Sequence, residues 1–446
     1  VLPDPSNERK FSVTMREASI QNLAFWSDFP IMQRKFYDSS DVLAKYAIDK
    51  LDVDSTLLAD STLAKWANGF NDQKYGFDPA FQNGIGMYKV EKWESGQMVV
   101  LQKKKDHWTK ESDDYYEKAY PDKIIYKVNR DANAQVLDFK SQAFDASTYI
   151  SAKTLFDLRE DAAFNKNYHS RFMDTYGYTY IAMNMRPDGK QRQQFFNDKN
   201  VRRAMALLTP VDDVIRVVNR NINKRITGPV SPLKPEYNKL KVLPLDAAKA
   251  IQLLADAGWK DSDGDHVLDK NVDGKKVNFE FDFNFLNTQV EWKDMASIIC
   301  ESYAKAGIKA HPVPLDQSLM FGNAREHNFD MMMGSMGTNS LMEDYTQVWH
   351  SSSWVSGGSN YSGFGTPESD SIIVKLRTAL DPAVRAPMIQ RIQQIIYDEQ
   401  PFVFMYALVR RNIVHKRFGN VELYNDRPGM LYNDLKLLST DAVNAN

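Results

Sequence analysis

The chain has 446 residues, of which 43% are hydrophobic and 26% are charged, and its formal net charge is −2. These proportions are typical of a globular protein, and the length exceeds what one hydrophobic core serves, so we expect two or three domains. A net charge so close to zero excludes a general electrostatic attraction to nucleic acid or to an anionic membrane.

The sequence contains one cysteine, Cys300, and no apolar run of the roughly 18 to 20 residues that a membrane-spanning helix needs. A single cysteine excludes an intramolecular disulfide. Cys300 lies in a helical pattern, where we expect it to be a small buried apolar residue. Because the chain opens at Val1 rather than at methionine, we expect a targeting segment to have been removed from it.

Short elements separated by turn residues fill the first third of the chain. Strands are predicted at residues 11–15, 87–90, 98–101 and 122–128, and helices at residues 41–51, 62–67 and 133–140. The turn residues 94–97 connect two of these strands into a β-hairpin.

Longer elements alternate in the remainder of the chain, which predicts an α/β fold. Strands are predicted at residues 178–184, 277–286, 309–313, 328–334 and 402–407, and helices at residues 196–215, 246–257, 292–306, 370–380 and 386–397. The helix at residues 292–306 lies between two of these strands, which predicts a right-handed β-α-β unit.

Three stretches have distinctive sequences: NGIGMYKVEKWESGQMVVLQKKKDHW at residues 83–108, FNDKNVRRAMALLTPVDDVI at 196–215 and NYSGFGTPESDSIIVKLRTALDPAVRAPMIQRIQQIIYDEQP at 360–401. They resemble motifs of the family 5 solute-binding proteins, the peptide- and nickel-binding receptors of ABC importers. A looser resemblance runs from residue 11 to about residue 438. By this resemblance the chain begins inside the family pattern, and we expect a full-length member to carry a further N-terminal part.

The resemblance implies a two-lobed α/β fold of the periplasmic binding protein type, with a large second lobe and a discontinuous first lobe. It assigns residues 1–81 to a remnant of the N-terminal subdomain, residues 82–172 and 418–446 to lobe one, and residues 173–417 to lobe two. A ligand would be enclosed when the lobes close about a hinge.

The same resemblance implies a receptor without catalytic activity or cofactor, which captures a ligand, with a peptide as the first choice, and delivers it to the permease of an ABC importer. It places the protein in the periplasm or elsewhere outside the cytoplasm, and membrane contact would come only through a lipid anchor absent from this chain. The rival hypothesis is a hydrolase acting on a carbohydrate or a peptide, with Glu343 and Asp344 as its acid pair. The sequence contains no G-x-S-x-G, H-E-x-x-H, Walker or C-x-x-C motif.

The sequence MMMGSMGTN at residues 331–339 predicts a strand that is followed by small residues and a polar loop. Such a loop exposes main-chain groups beside adaptable methionines, although a plain buried strand explains the same letters equally well. In oligopeptide-binding members an Asp of this loop pairs with the amino terminus of the peptide, and Thr338 and Asn339 stand at the matching place. The predicted ligand-binding residues are Tyr180, Gly334, Met336, Thr338, Asn339, Trp349, Trp354 and Tyr406, the two tryptophans as candidates for stacking.

Acidic residues occupy the first, third, fifth and ninth positions of a possible calcium loop: Asp261, Asp263, Asp265 and Asp269. His266 stands at the sixth position, which requires glycine, and Val272 at the twelfth, which requires a bidentate glutamate. A solvated loop is therefore favoured over a structural calcium ion, and both alternatives stay open.

Overall fold

The structure is a computed structural model, and it describes residues 2–7, 10–15, 17–27, 32–51, 53–82, 84–129, 131–186, 193–341 and 343–439. Among these residues, no helix combines the length and the apolar character needed to cross a membrane. The last seven residues assigned to lobe one, 440–446, lie outside the described residues.

The strands of the described residues vary from two to sixteen residues in length. They are β1 (Leu2–Pro3), β2 (Phe11–Ser12), β3 (Tyr88–Glu94), β4 (Met98–Lys103), β5 (Lys123–Lys127), β6 (Ala146–Ser147), β7 (Tyr168–Met183), β8 (Asp269–Val272), β9 (Lys275–Asn278), β10 (Glu280–Leu286), β11 (Lys309–Leu315), β12 (Met331–Met336), β13 (Phe402–His415), β14 (Phe418–Gly419) and β15 (Lys436–Leu437).

The helices are short in the first half of the chain and longer in the second. They are α1 (Ile20–Ser27), α2 (Arg34–Tyr37), α3 (Ile48–Leu51), α4 (Ser61–Phe70), α5 (Lys74–Phe77), α6 (Ala132–Lys140), α7 (Ala152–Arg159), α8 (Ala162–Asn167), α9 (Lys199–Leu208), α10 (Val211–Val217), α11 (Ala247–Asp256), α12 (Val290–Ala304), α13 (Gln317–Arg325), α14 (Thr346–Trp349), α15 (Pro367–Thr378) and α16 (Pro382–Glu399).

A six-stranded mixed sheet forms the centre of the molecule, in the order β11-β10-β12-β7-β13-β6. The strand β10 runs parallel to β11 and β12, whereas β7 runs antiparallel to β12 and β13. Side chains alternate between the two faces. Ile181 and Met183 pack with α9, α11 and α12 on one face, and Tyr180 and Ala182 pack with α15 and α16 on the other.

The long strands β7 and β13 connect this core to a second one. Tyr168, at the start of β7, and Ile413, near the end of β13, pack with Phe139, Leu155 and Phe164 of the helices α6 to α8. The pair therefore runs from one core into the other, with register shifts between Phe404 and Tyr406 and between Ala407 and Val409. The predicted limit between residues 172 and 173 falls inside β7, and the lobe boundaries stay predictions.

A separate three-stranded antiparallel sheet contains the predicted hairpin, in the order β3-β4-β5. The turn between β3 and β4 is closed by the Gln97 N–H, which donates to the Glu94 carbonyl (3.0 Å). Gly96 adopts φ of +72° there, a conformation that glycine accepts at no steric cost. The hairpin prediction is confirmed.

The predicted β-α-β unit is confirmed as far as its strands are concerned, since β10 and β11 are parallel neighbours joined through α12. The prediction of one helix over residues 196–215 is wrong. The helix α9 ends at Leu208 because Thr209 precedes Pro210 and takes an extended conformation (φ −81°, ψ 114°), and α10 begins at Val211.

Three further predictions differ from the structure. The expected helix at residues 41–51 is a 3₁₀ turn, Leu43–Lys45, followed by the four residues of α3. The expected strand at residues 11–15 is reduced to Phe11–Ser12, and the expected strand at 277–286 is divided into β9 and β10 at Phe279, whose N–H donates to the Leu268 carbonyl (2.7 Å). Conversely, β7 and β13 extend well beyond the expected residues 178–184 and 402–407.

Candidate functional site

The loop that follows β12, residues 337–345, is named the rim loop; the structure describes all of it except residue 342. It lies beyond the carboxyl end of β12, which runs parallel to β10. Ligand sites of open α/β sheets lie outside the carboxyl ends of such strands. The Thr338 hydroxyl donates to the Tyr176 carbonyl (2.6 Å), and the Asn339 side-chain oxygen accepts from the Leu341 N–H (3.0 Å).

Lys234 holds the C-terminal part of the rim loop in place. Its ammonium donates to Glu343 Oε1 (2.7 Å) and to the Leu341 carbonyl (2.9 Å), and it lies 5.8 Å from the centre of the Tyr176 ring. The Lys234 and Glu343 side chains are only 9% and 17% exposed. Because the pair is largely shielded from water, removal of either partner would leave a poorly solvated charge.

A second loop, residues 424–429, adjoins the rim loop and is named the tail loop. Its shape depends on Arg410 of β13, whose Nη1 donates to the main-chain carbonyls of Tyr424 (2.7 Å), Asn425 (3.2 Å) and Asp426 (2.8 Å). Burial lowers the pKa of the Arg410 guanidinium below its usual value. Gly429 takes φ of +91° beside the Arg410 side chain, and a Cβ there would come within 2.5 Å of Arg410 Cδ.

The two loops touch directly. The Ser340 N–H donates to Asp426 Oδ1 (2.8 Å), and a Cβ on Gly337 would lie 3.2 Å from an Arg427 nitrogen. The tail loop is also tied to β7, because the Asn425 side-chain N–H donates to the Asp174 carbonyl (2.7 Å). A polar cluster therefore spans the place where residues assigned to lobe two meet residues assigned to lobe one.

Tyrosines form the wall behind this cluster. Burial, followed by the charge of Glu343, raises the pKa of Tyr345, and burial, followed by Tyr180 and Glu343, raises that of Tyr178. The pKa of Tyr176 is raised by burial and by Asp426. The phenols therefore stay neutral at physiological pH, and the charge of the cluster comes from its acids and from three bases, Lys234, Arg410 and Arg427.

The acid pair of the hydrolase hypothesis is already engaged in the structure. Glu343 is bound to Lys234, and Asp344 Oδ1 accepts from the Thr346 N–H (2.9 Å) in the first turn of α14. General acid and base catalysis requires side chains that point to a common reacting group. Here the two acids hold the rim loop and the start of a helix instead.

Three predicted ligand-binding residues lie in the cores. Tyr180 and Trp349 are each 3% exposed, and Tyr406 is 4% exposed. The Tyr180 ring stacks on Phe402 at 4.3 Å, and a Cβ on Gly334 would come within 2.7 Å of that ring. In this conformation these side chains make packing contacts, and a role in ligand binding stays a prediction for them and for Gly334.

Trp354 is sandwiched between two other side chains. The His327 ring stacks on it at 4.3 Å with an interplanar angle of 6°, and the Arg186 guanidinium lies 5.2 Å from its centre. These contacts compete with the predicted stacking on a ligand. Met336, Thr338 and Asn339 are the predicted residues that the structure brings together at the rim loop, where Asn339 is exposed.

The side chains of the acidic loop, residues 261–269, fit the calcium alternative poorly. Oxygens of Asp261, Asp263 and Asp265 lie within 4.8 Å of one another, but Asp269 accepts from the Ser262 N–H (2.9 Å) and hydroxyl instead. The Lys276 ammonium is hydrogen-bonded to Asp263 and lies 3.6 Å from Asp269, so a cation already pairs with two of the four carboxylates. The metal site stays a prediction.

Sequence reasoning missed Lys234, Arg410 and Asp426. Lys234 and Asp426 lie far along the chain from the rim loop residues that they contact, and Arg410 holds the tail loop, at residues 424–426. No local pattern marks any of the three. The only available signal was the composition of residues 229–235 (PVSPLKP), where Lys234 is the one charged residue of a loop rich in proline.

Comparison with known proteins gives a consistent result. Residues 29–358 match the bacterial extracellular solute-binding proteins, family 5 Middle. The oligopeptide-binding protein AppA of Bacillus subtilis (strain 168) is 30% identical over 328 residues, which are 72% of this chain and 56% of that relative. The chain thus spans little more than half of the length of this relative.

Solved structures agree with this match. The Bacillus subtilis AppA structure in complex with a nonapeptide has a TM-score of 0.68 at 25% identity, over 86% of this chain and 71% of that chain. The oligopeptide binding protein from Thermus thermophilus, complexed with a pentapeptide, has a TM-score of 0.69 at 18% identity, over 94% of this chain and 74% of that chain. The second likeness is one of fold alone.

Proposed function

Because this chain belongs to family 5 of the bacterial extracellular solute-binding proteins, we propose that it is a receptor that captures a short peptide between two lobes and delivers it to an ABC importer. The peptide is chosen because the 30% identical relative is named an oligopeptide-binding protein. Docking on a permease and attachment to the membrane by a lipid anchor are further parts of the proposal.

The observation that carries the proposal is the contact between the rim loop and the tail loop. Ser340 and Asp426 join residues assigned to different lobes, directly beyond the carboxyl end of β12. A ligand held by both loops gains its full set of contacts only when the lobes are closed, so binding shifts the population toward the closed state. Affinity of this kind comes from main-chain pairing, which tolerates many side chains.

One acid of the cluster suits a peptide with a free amino terminus. Glu343 is paired with Lys234, and Asp344 accepts from the Thr346 N–H, so both are engaged within the rim loop and the start of α14. The Asp that the resemblance leads one to expect is replaced by Thr338 and Asn339, and the neighbouring Asp426, which accepts from the Ser340 N–H through Oδ1, would receive the ammonium group through its other oxygen.

Identification of the co-purified ligand tests the proposal. The purified protein is denatured, and the released small molecules are identified by mass spectrometry. We expect a mixture of short peptides in an amount stoichiometric with the protein. Release of one sugar or one metal chelate would contradict the peptide assignment while leaving the receptor function in place.

A pair of amide substitutions separates a receptor from an enzyme. For Glu343→Gln and Asp344→Asn we expect weaker peptide binding in calorimetric titrations, since Glu343 binds Lys234 and Asp344 accepts from the Thr346 N–H, and both contacts hold the shape of the rim loop. Peptide hydrolysis should be absent from the unmodified protein and from both variants. Turnover by the unmodified protein that falls by orders of magnitude in either variant would establish the hydrolase instead.

A further inference from the structure

The long strands β7 and β13 present two faces where they leave the core of lobe two. Ile413 packs with the helices α6 to α8, whereas the next residue, Val414, packs with Met430 and Leu435 of the C-terminal part. Successive side chains of a strand point to opposite faces. Arg410, which holds the tail loop, therefore lies on the face of Val414. The rim loop and the tail loop meet on this face, and the helices α6 to α8 cover the other.

A segment assigned to lobe two, residues 219–226, is bound along β13 and is named the hinge strap. The Ala407 N–H donates to the Lys224 carbonyl (2.9 Å), and the Asn223 side-chain N–H donates to the Ala407 carbonyl (2.8 Å). The pairing of β13 with β7 shifts its register on either side of Ala407. Because such irregularities interrupt the ladder and let a strand bend, the hinge strap lies where the two strands can act as a hinge.

The tip of the hinge strap reaches lobe one on the face that the helices cover. The Arg220 guanidinium lies 4.7 Å from the centre of the Phe156 ring in α7. Phe156 packs in turn on Phe172 of β7, with 5.4 Å between the ring centres, and Phe172 packs against the core of the helices α6 to α8. This contact joins residues assigned to different lobes, as the contact of the rim loop with the tail loop does, but it lies on the opposite side of the hinge.

The backbone at the tip of the hinge strap is strained. Arg220 and Asn221 take φ of +48° and +61°, a left-handed conformation that is unfavourable for a residue with a Cβ and that glycine takes readily. The Asn221 N–H donates to the Ile215 carbonyl of α10 (2.9 Å), which holds this shape. Strain of this kind persists where the surrounding structure imposes it, and it is often part of a function. Here it directs a long side chain onto α7.

We propose that Arg220 and Phe156 form a stop behind the hinge, which limits how far the two lobes open. A rotation that separates the rim loop from the tail loop moves the lobes toward each other on the opposite face of β7 and β13. Arg220 and Phe156 are already in contact on that face, so a wider opening requires the arginine to leave the ring. The stop thus keeps the ligand-free protein close to the conformation that binds, and the fraction of binding-competent molecules sets the apparent affinity.

The contact is suited to form and break as the lobes move. Arg220 is exposed, and an exposed contact between a cation and an aromatic ring changes an equilibrium constant by about two- to fivefold. The inference rests on the proposed closure of two lobes, but it does not depend on the identity of the ligand.

The distance between the lobes tests the stop. Cys300→Ala removes the one native thiol, and Tyr116→Cys and Leu341→Cys provide exposed sites for nitroxide labels. Leu341 lies in the rim loop, and Tyr115, the neighbour of Tyr116, is hydrogen-bonded to Tyr424 of the tail loop (2.8 Å), so opening lengthens the distance between the labels. The whole chain is unfolded in guanidinium chloride, freed of bound ligand by dialysis and refolded, and double electron–electron resonance measures the distance.

Arg220→Gly removes the stop and relieves the backbone strain. The population of distances longer than those of the unmodified protein should rise about two- to fivefold, while the midpoint of thermal unfolding should not fall. Arg220→Lys keeps a cation that reaches the ring, and it should retain the distribution of the unmodified protein. An unchanged distribution in the Arg220→Gly variant would overturn the proposal.

Asn221→Gly is the matched control, because it relieves strain at the neighbouring left-handed residue and leaves the contact of Arg220 with Phe156 in place. We expect the distribution of the unmodified protein. Equal lengthening by the two glycine substitutions would assign the effect to a flexible hinge strap and would also overturn the stop.

Phe156→Ala tests the other side of the contact. If the two side chains act through one contact, Phe156→Ala combined with Arg220→Gly should open the protein no further than Arg220→Gly alone, and additive effects would contradict the proposal. Circular dichroism checks each fold, and if Phe156→Ala disrupts α7, the comparison of Arg220→Gly with Asn221→Gly still decides. Because the distances are measured without ligand, a chain that releases no peptide can still show the stop, so the two proposals fail independently.

Discussion

The six-stranded and the three-stranded sheets differ most in how much of each is covered. In the central sheet, residues 177–183 of β7 are all buried, because helices pack on both faces. In the hairpin sheet, Val100 is the one buried residue of β3, β4 and β5. The first sheet is stabilised by its own packing, whereas the second is only partly covered by the described residues.

Deletion of a core side chain should produce the largest contrast between the two sheets. Phe283 of β10 is fully buried, and Phe283→Ala should lower the free energy of unfolding by about 3–5 kcal/mol, since it removes apolar contacts and leaves a cavity. In β5, Ile125→Ala should change it by less than about 0.5 kcal/mol, because the side chain is exposed. Urea denaturation measures both, and similar losses would contradict the comparison.

Substitution of glycine should give effects of opposite sign in the two parts of the molecule. A Cβ on Gly334 would come within 2.7 Å of the Tyr180 ring, which already stacks on Phe402, so Gly334→Ala should destabilise the protein by about 1–3 kcal/mol. Gly69 lies in α4 with no atom within 4 Å of its Cβ position, and Gly69→Ala should stabilise by up to about 1 kcal/mol. Thermal unfolding of the two variants checks the signs, and destabilisation by Gly69→Ala would show hidden packing around α4.

The same difference in coverage explains which elements could be predicted from sequence. The helix α11 is found within one residue of each expected limit, because its apolar positions repeat with helical period and Asp246 caps it by accepting from the Lys249 N–H. The strands β7 and β13 were predicted too short. The outer half of β7 is partly exposed, and the outer halves of both strands are mixed in composition. Only their pairing with each other, across more than two hundred residues of sequence, makes them strands.

The candidate site was less accessible to sequence reasoning than the fold. Aromatic residues at strand ends pack equally well in a core and along a cleft. The sequence alone therefore does not show that Tyr180 and Tyr406 are buried in the cores while other predicted residues lie at the rim loop. Lys234 and Asp426 act on the rim loop through distant contacts. Such contacts depend on the tertiary fold and leave no local pattern.

The fixation of the rim loop can be tested by removal of Lys234. Lys234→Met keeps the length of the side chain but deprives the shielded Glu343 of its partner, and it should cost about 1–3 kcal/mol of stability and weaken ligand binding. Lys224→Met is the control, because Lys224 pairs with Asp174 (2.5 Å) while 68% exposed, and we expect a change below about 0.5 kcal/mol. Equal effects of the two substitutions in urea denaturation would contradict the structural role of Lys234.

The smallest expected effect concerns the acidic loop at residues 261–269. Hydrogen bonds from the Ser262 hydroxyl and N–H lower the pKa of Asp269, and the Lys276 ammonium lowers that of Asp263. Both carboxylates therefore remain ionised and paired down to acidic pH, and Lys276 is the cation that pairs with them. Because Lys276 already occupies two of the carboxylates, we expect weak calcium binding. A ligand stabilises a fold only when its concentration exceeds its dissociation constant, so millimolar calcium should shift the midpoint of thermal unfolding by less than about 1 °C. A clear rise with calcium but not with magnesium, abolished by Asp261→Asn, would establish the metal site and show that the ion displaces Lys276 from the loop.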